Sequence, residues 1–188
     1  MRQRILDTAD RLFYRRGIRA VGVDTIAAEA GVSKRTLYNH FASKDALIEA
    51  YLAGRATPLP SSGLPPGDQV LAVFDRLEGT LAHRDFRGCP FVNAIAELGT
   101  PRHPARRIAV AFKEGRRVWF RDLLRRLGAS DPDGLATQLR LLIEGVIATA
   151  LVSGDPKIAR TAKAAALALL AQAGVALPAG VGKEKRRL

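Results

Sequence analysis

The chain has 188 residues, enough for one or two small domains with a real core. Hydrophobic residues make up 47% and charged residues 26%, an ordinary globular balance that argues against a disordered or fibrous chain. The formal charge of +12 is not ordinary; it points either to a polyanionic partner, most simply nucleic acid, or to a solvated basic surface.

The single cysteine, Cys89, cannot form an internal disulfide, which fits a reducing cytosol. Arg2, Arg4, Asp7, Asp10 and Arg11 interrupt any charged-then-apolar leader. The longest apolar stretch, Ala164 to Gly182, is rich in Ala and Gly and holds Pro178. No membrane partner is expected, and the expected location is cytoplasmic. The basic charge is uneven: residues 102–126 hold nine basic and two acidic residues, apart from a second basic region in the first 57.

In chain order, residues 2–16 place Ile5, Ala9, Leu12 and Phe13 on one helical face, and Gly17 ends the helix. A short helix spans roughly Val23 to Ala30, and Gly31 suits a positive-φ turn after it. Ser33 caps a third helix, its hydroxyl accepting from the Thr36 N–H. Leu37 and Phe41 are four apart and face the core. Two short helices joined by a three- or four-residue turn with a glycine match a helix-turn-helix.

The outward residues of the third helix are chemically dense. Lys34, Arg35 and Thr36 occupy its first turn, where a recognition helix meets base edges. Lys or Arg can bond guanine, and Thr can meet a thymine methyl. Tyr38 and His40 suit phosphate oxygens, and Asn39 suits adenine or a phosphate. Ser43 caps a fourth helix with Lys44 in its first turn, a phosphate clamp. The expected DNA-contacting set is Ser33, Lys34, Arg35, Thr36, Tyr38, Asn39, His40 and Lys44. The bland alternative is a small helical domain with a polar surface helix.

The run Ile26-Ala27…Ala30-Gly31-Val32-Ser33…Leu37-Tyr38-Asn39-His40-Phe41…Ser43-Lys44…Leu47 resembles the DNA-binding signature of the tetracycline-repressor (TetR) family of bacterial transcription regulators. The resemblance covers about residues 4–52. It implies an all-α chain: an N-terminal three-helix helix-turn-helix domain, then a helical ligand-binding and dimerisation domain. The family often has Thr or Ser where this chain has Val21-Gly22, a hydroxyl that caps helix 2 and touches a phosphate. Here the Gly22 N–H or Thr25 would take that role.

Residues 53–67 are rich in Gly, Pro and Ser and read as a linker. Helical period then returns with Val70, Val73, Phe74, Leu77 and Leu81. Cys89-Pro90 opens another helix that runs to Gly99. A long helix from about Ala105 to Leu127 follows, with Ile108, Phe112, Gly115, Trp119 and Leu123 on one face. Its basic residues mostly occupy the other side and are expected to be a solvated surface, with a second DNA contact as the alternative. Asp131-Pro132 starts a helix that Gly154 ends, and Lys157 to about Ala173 forms the last one.

The helix over 135–153 is apolar on more than half its circumference, and that over 157–173 is Ala-rich. Such helices need two partners each, so a homodimer through 135–153 and 157–173 is expected. The expected domains are 1–52 for DNA, 53–67 as linker, 68–176 for effector and dimer, and 177–188 as a disordered basic tail.

Asn93, Glu97 and Glu144 are polar groups on apolar segments, with Phe74, Phe91, Phe112 and Trp119 as candidate walls and Cys89 as a lining or reactive thiol. These eight are the candidate contacts for a small-molecule effector; core packing is the alternative for each aromatic. There is no HExxH, no CxxC and no defensible Ser-His-Asp spacing, so no enzyme, metal or cofactor is expected. The expected function is a repressor released from a pseudo-palindromic double-stranded DNA operator by a small molecule. The alternatives are a ligand-independent DNA-binding activator or architectural protein, or a helical small-molecule-binding protein without DNA function.

Overall fold

The structure is a computed structural model that describes residues 1–57, 59, 63–99 and 102–175. Among these it is all-α: α1 (Arg2–Arg16), α2 (Val23–Glu29), α3 (Lys34–His40), α4 (Lys44–Arg55), α5 (Pro66–Leu81), α6 (Pro90–Leu98), α7 (Ala105–Arg126), α8 (Pro132–Ser153) and α9 (Ile158–Gln172). The expected tail 177–188 and part of the linker 53–67 lie outside the described residues.

Two compact units emerge: Met1–Pro58 with Arg87–Lys113, and Leu59–Phe86 with Glu114–Leu188. This packing border differs from the expected one at residue 52, because α6 and the start of α7 belong with the N-terminal helices. The reason is polar as well as apolar. The Tyr14 hydroxyl donates to the Gly88 carbonyl and accepts from the Arg87 N–H, both at 3.0 Å. The Glu97 carboxylate accepts the Arg19 N–H at 2.9 Å. None of these pairs leaves a periodic trace in the sequence.

In the first unit, α1 packs on α2, α3 and α4 through the face its periodicity announced; Ile5, Ala9, Leu12 and Phe13 are all buried. Asp10 and Arg55 join α1 to α4 through two hydrogen bonds, one of them 2.8 Å. The Arg55 guanidinium also lies 4.3 Å from the Tyr14 ring centroid and 5.4 Å from that of Tyr51. Burial pushes the Tyr51 phenol above its usual range, so it stays neutral and acts as packing.

In the second unit one core joins Val70 and Phe74 of α5, Phe120 and Leu124 of α7, Leu139 and Ile143 of α8, and Ala166 and Leu170 of α9. Alanines at 159, 162 and 166 line the buried side of α9, whose close neighbours are α5 and α8. The α5 stripe is as expected, with Val70, Val73, Phe74 and Leu81 buried. The α7 stripe is not. Gly115 is exposed and Trp119 half-buried, while Phe120 is fully buried, so the face is rotated by about one position. Two adjacent aromatics competed for the core; Phe120 took it, and Trp119 packs edge-on against it at 5.1 Å. Arg160–Glu78 and Lys163–Asp75, each 2.7 Å, join α9 to α5 at the surface, where such pairs contribute about 0–1 kcal/mol.

α8 is long and apolar enough, by length and composition, to cross a membrane, and only 33% of its most apolar window is buried. Leu139, Ile143 and Val146 are nevertheless core residues of the second unit, while Leu141, Leu151 and Val152 are exposed on the same helix.

Truncating the aromatic that won the core is a direct check on this packing. Phe120→Ala should cost about 3–5 kcal/mol of stability, read by urea unfolding at fixed protein concentration. Trp119→Ala should cost less, and the reverse order would contradict the described face.

Candidate nucleic-acid interface

α3 is a seven-residue helix with a single buried side chain, Leu37. Its start is fixed by Ser33, whose hydroxyl accepts the Thr36 N–H at 3.0 Å and lies 2.8 Å from the Thr36 hydroxyl. The turn before it needs Gly31, at φ +63°. Arg4 of α1 donates to the Gly31 carbonyl at 3.4 Å, and Arg2 lies over the Phe41 ring at 4.7 Å. Two arginines of α1 thus hold the ends of the turn and of α3.

With Leu37 and Phe41 turned inward, Lys34, Arg35, Tyr38, Asn39 and His40 are exposed and Thr36 half-buried. Most of the α3 side chains that the sequence selected for DNA contact are therefore accessible. They are not equivalent. Lys34 is paired with Asp24 of α2 at 2.9 Å, and the hydrogen bond and charge of that carboxylate raise its pKa. Arg35 has no hydrogen-bond or ion-pair partner among the described residues.

Ser43 caps α4 by accepting the Ala46 N–H at 3.0 Å, as its sequence position suggested. Lys44 beside it is half-buried. Partial desolvation lowers its pKa against the pull of the Asp45 and Glu97 carboxylates. An ammonium that has already shed part of its water meets a phosphate with less to strip away. At the N-terminus of α2 the cap is Gly22, with no side-chain bond, so the missing hydroxyl is not replaced there.

Sequence reasoning missed a polar corner behind Lys44. His103 precedes α7, and its Nδ1 accepts the Ala105 N–H at 3.1 Å. Its Nε2 lies 3.3 Å from an Asp45 carboxylate oxygen of α4. That contact is close enough for an ion pair but off hydrogen-bond alignment. Glu97, besides holding Arg19, lies against Gly17. A Cβ at Gly17 would meet a Glu97 oxygen at 2.8 Å, and its φ of +89° also favours glycine. Only the helix break at Pro104 hinted at this corner.

The eight candidate effector contacts fall into two groups. Cys89, Phe91, Asn93, Glu97 and Phe112 belong to the first unit, and Phe74, Trp119 and Glu144 to the second. Phe91 and Phe112 stack at 4.0 Å, Asn93 donates to the Arg87 carbonyl at 2.7 Å, and Lys113 donates to the buried Cys89 sulfur at 3.3 Å. Phe74 is a core residue of the second unit, and Glu144 is half-buried on α8. Among the described residues no group of three or more His, Cys, Asp or Glu side chains could hold a metal ion. The second unit also carries an open groove of about 480 Å³ between α8 and α9, lined by Leu141, Leu142, Val146, Thr149, Ile158 and Leu169 among others.

Comparison with known proteins places this geometry. The family model for bacterial regulatory proteins of the tetR family matches residues 5–51. The structure of SCO4454, a TetR-family transcriptional regulator of Streptomyces coelicolor, is similar with a TM-score of 0.83 and 34% identity, over 92% of this chain and 95% of that one. The transcriptional activator FasR of Mycolicibacterium smegmatis is 50% identical over 52 residues, 28% of this chain and 22% of FasR. The transcriptional repressor KstR2 of Rhodococcus jostii is 43% identical over 53 residues, 28% of this chain and 26% of KstR2. The matched stretch spans about a quarter of the length of these curated relatives.

The Lys34–Asp24 pair makes a signed prediction. Asp24→Asn frees the Lys34 ammonium and removes a carboxylate beside the exposed residues of α3. DNA affinity should rise several-fold at low salt and converge on the parent value at high salt, measured by fluorescence anisotropy. A fall in affinity would mean that Asp24 positions Lys34 rather than restraining it.

Proposed function

We propose, for a chain that belongs to the TetR family of bacterial regulatory proteins, that it is a dimeric transcription regulator released from a pseudo-palindromic operator by a small molecule. The observation that carries the DNA reading is the exposed face of α3. Arg35, Tyr38, Asn39 and His40 stand clear of a helix held by Leu37, Ser33 and Arg4. Each copy inserts α3 into a major groove, with Lys44 and the α4 N-terminus on the flanking backbone. Two copies read half-sites about one helical turn or more apart, roughly 34–36 Å at the least. The working location is the cytoplasm, where the DNA is.

The groove between α8 and α9 supports the second copy. Leu141 is 59% exposed and Val152 90%, which is costly for a monomer in water. Gly145, Ala162 and Ala165 line the groove with Leu141 and are small enough for helices to close tightly. A two-fold pairing of α8 and α9 covers this face in one contact. It also accounts for an apolar helix without a membrane.

Release by a small molecule rests on the pattern of the family, in which the helical C-terminal domain takes the effector. α7 supplies residues to both units, which gives an effector bound near Trp119 a covalent path to the reader unit. Bias between two arrangements would then change operator affinity. The repressor sign has the support of KstR2. FasR favours a second reading, an activator, and its match to the same N-terminal module implies that the reader alone does not set the sign.

Selection of bound duplexes from a random pool tests the DNA reading; a palindrome with one spacing is expected, and no enriched sequence would overturn it. Arg35→Ala should then cost about 1–3 kcal/mol and relax preference at one base pair of each half-site. A uniform loss over all sequences would reduce Arg35 to a phosphate contact. Leu141→Glu should turn the dimer into a folded monomer by sedimentation and weaken operator binding with it. A dimer that survives the change places the interface elsewhere.

A further inference from the structure

We propose that the start of α7 is a further DNA-contacting surface, where Arg102, Arg106 and Arg107 hold backbone phosphates next to those taken by Ser43 and Lys44. The inference rests on the DNA-reading role of α3 and adds a surface to it. All three arginines are exposed, and none of their side chains has a hydrogen-bond or ion-pair partner among the described residues. The arginines farther along the same helix are different. Arg117 is held by Glu114 and Asp133 at 2.6 and 2.7 Å, Arg121 by Asp122 at 2.9 Å, and Arg125 by Asp133 at 3.3 Å. Within 102–126, Arg117, Arg121 and Arg125 are thus held by carboxylates, whereas Arg102, Arg106 and Arg107 are not.

These three arginines are also badly placed for the helix itself. α7 has no acidic residue in its first turn, so these cations sit at the positive end of the helix dipole. A cluster of cations that opposes the dipole is stabilised by an external polyanion.

Its position selects the polyanion. His103, with 10% of its side chain exposed, spans from the Ala105 N–H to within 3.3 Å of Asp45, the residue after Lys44. Glu97 at the end of α6 lies within electrostatic reach of Lys44. The first turn of α7 is thus held against the first turn of α4, inside the reader unit. Of the carboxylates in this corner, Glu97 accepts the Arg19 N–H, and Asp45 lies 3.3 Å from the His103 Nε2 without a hydrogen bond between them. The arginines flank His103, whose ring reaches the residue after Lys44, and the phosphate backbone proposed to meet Lys44 is the polyanion nearest to hand.

The test compares the full-length chain with an Arg106→Gln/Arg107→Gln variant on the selected operator and on an unrelated duplex over a range of salt. The slope of log affinity against log salt should become shallower by about 0.9 for each phosphate that is no longer neutralised. The weakening should be equal on both duplexes, and hydroxyl-radical protection should shrink at phosphates flanking each half-site. Arg126→Gln, an exposed arginine of the second unit, controls for net charge and should leave the slope unchanged. A parent-like slope in the double variant overturns the proposal, and so does an equal fall per charge in Arg126→Gln. Failure of the reader role looks different: the unmodified chain would then select no sequence at all. Dimer mass and helical content, measured alongside, confirm that each variant is folded.

Discussion

A seven-residue helix cannot hold itself in water, because the nucleation cost of the first turn is never repaid over so short a length. That constraint governs α3, and the rest of the reader unit is arranged to overcome it. Leu37 supplies the only fully buried side chain of the helix, so its attachment rests on one apolar anchor. The ends are then fixed by separate means: Ser33 at the N-terminus, Arg4 on the Gly31 carbonyl before it, and Arg2 over Phe41 after it. Of the outward side chains, Arg35 carries no structural bond among the described residues, whereas Lys34 is paired with Asp24. A reader that must meet base edges needs side chains unencumbered by the fold, and a minimal inward face leaves Arg35 so.

The scaffold behind α3 depends on α1, which touches α2, α3 and α4. Its hold on α4 is double. Phe13 packs on Tyr51 at 5.6 Å, and Asp10 takes the Arg55 guanidinium, which also lies over Tyr14. Tyr14 then reaches through its hydroxyl to Gly88 and Arg87 just before α6. Glu97 repeats the device at the other end of α6, on the loop after α1. α6 is thereby gripped at both ends by the reader unit through backbone hydrogen bonds. Such bonds are directional, and a shift of α6 by an ångström or two would break or drag them.

How much of this was legible in the sequence follows from the kind of force involved. Apolar burial is periodic, so α1, α5 and the inward pair Leu37 and Phe41 could be read from spacing. Caps are local, so Ser33 and Ser43 could be read from their neighbours. Two features were out of reach for physical reasons. Contacts such as Tyr14–Gly88, 74 residues apart, depend on fold geometry and leave no spacing rule behind. The choice between Trp119 and Phe120 turned on about 100° of helix rotation, and a stripe of mixed large and small residues does not resolve that angle. The candidate effector residues include polar side chains chosen because they stand on apolar helices. Asn93 and Glu97 owe that pattern, at least in part, to backbone groups they satisfy within the reader unit.

Net charge was the first signal and also the coarsest, and the structure sharpens what it means. Arg11 and Arg16 share Glu29, Lys34 is held by Asp24, and Arg55 by Asp10. These cations already have carboxylates, so phosphate would have to compete for them, and the exchange returns little net free energy. Arg35 has no such competitor on the reader face, and neither do Arg102, Arg106 and Arg107 at the start of α7. An unpaired arginine on a fixed helix gains its full interaction on binding and gives up only water and rotamer freedom. The distribution of carboxylates, more than the number of basic residues, therefore decides where this chain can hold DNA. By that criterion Arg35 has the strongest claim to base reading, and Lys34 is a contact whose strength Asp24 regulates.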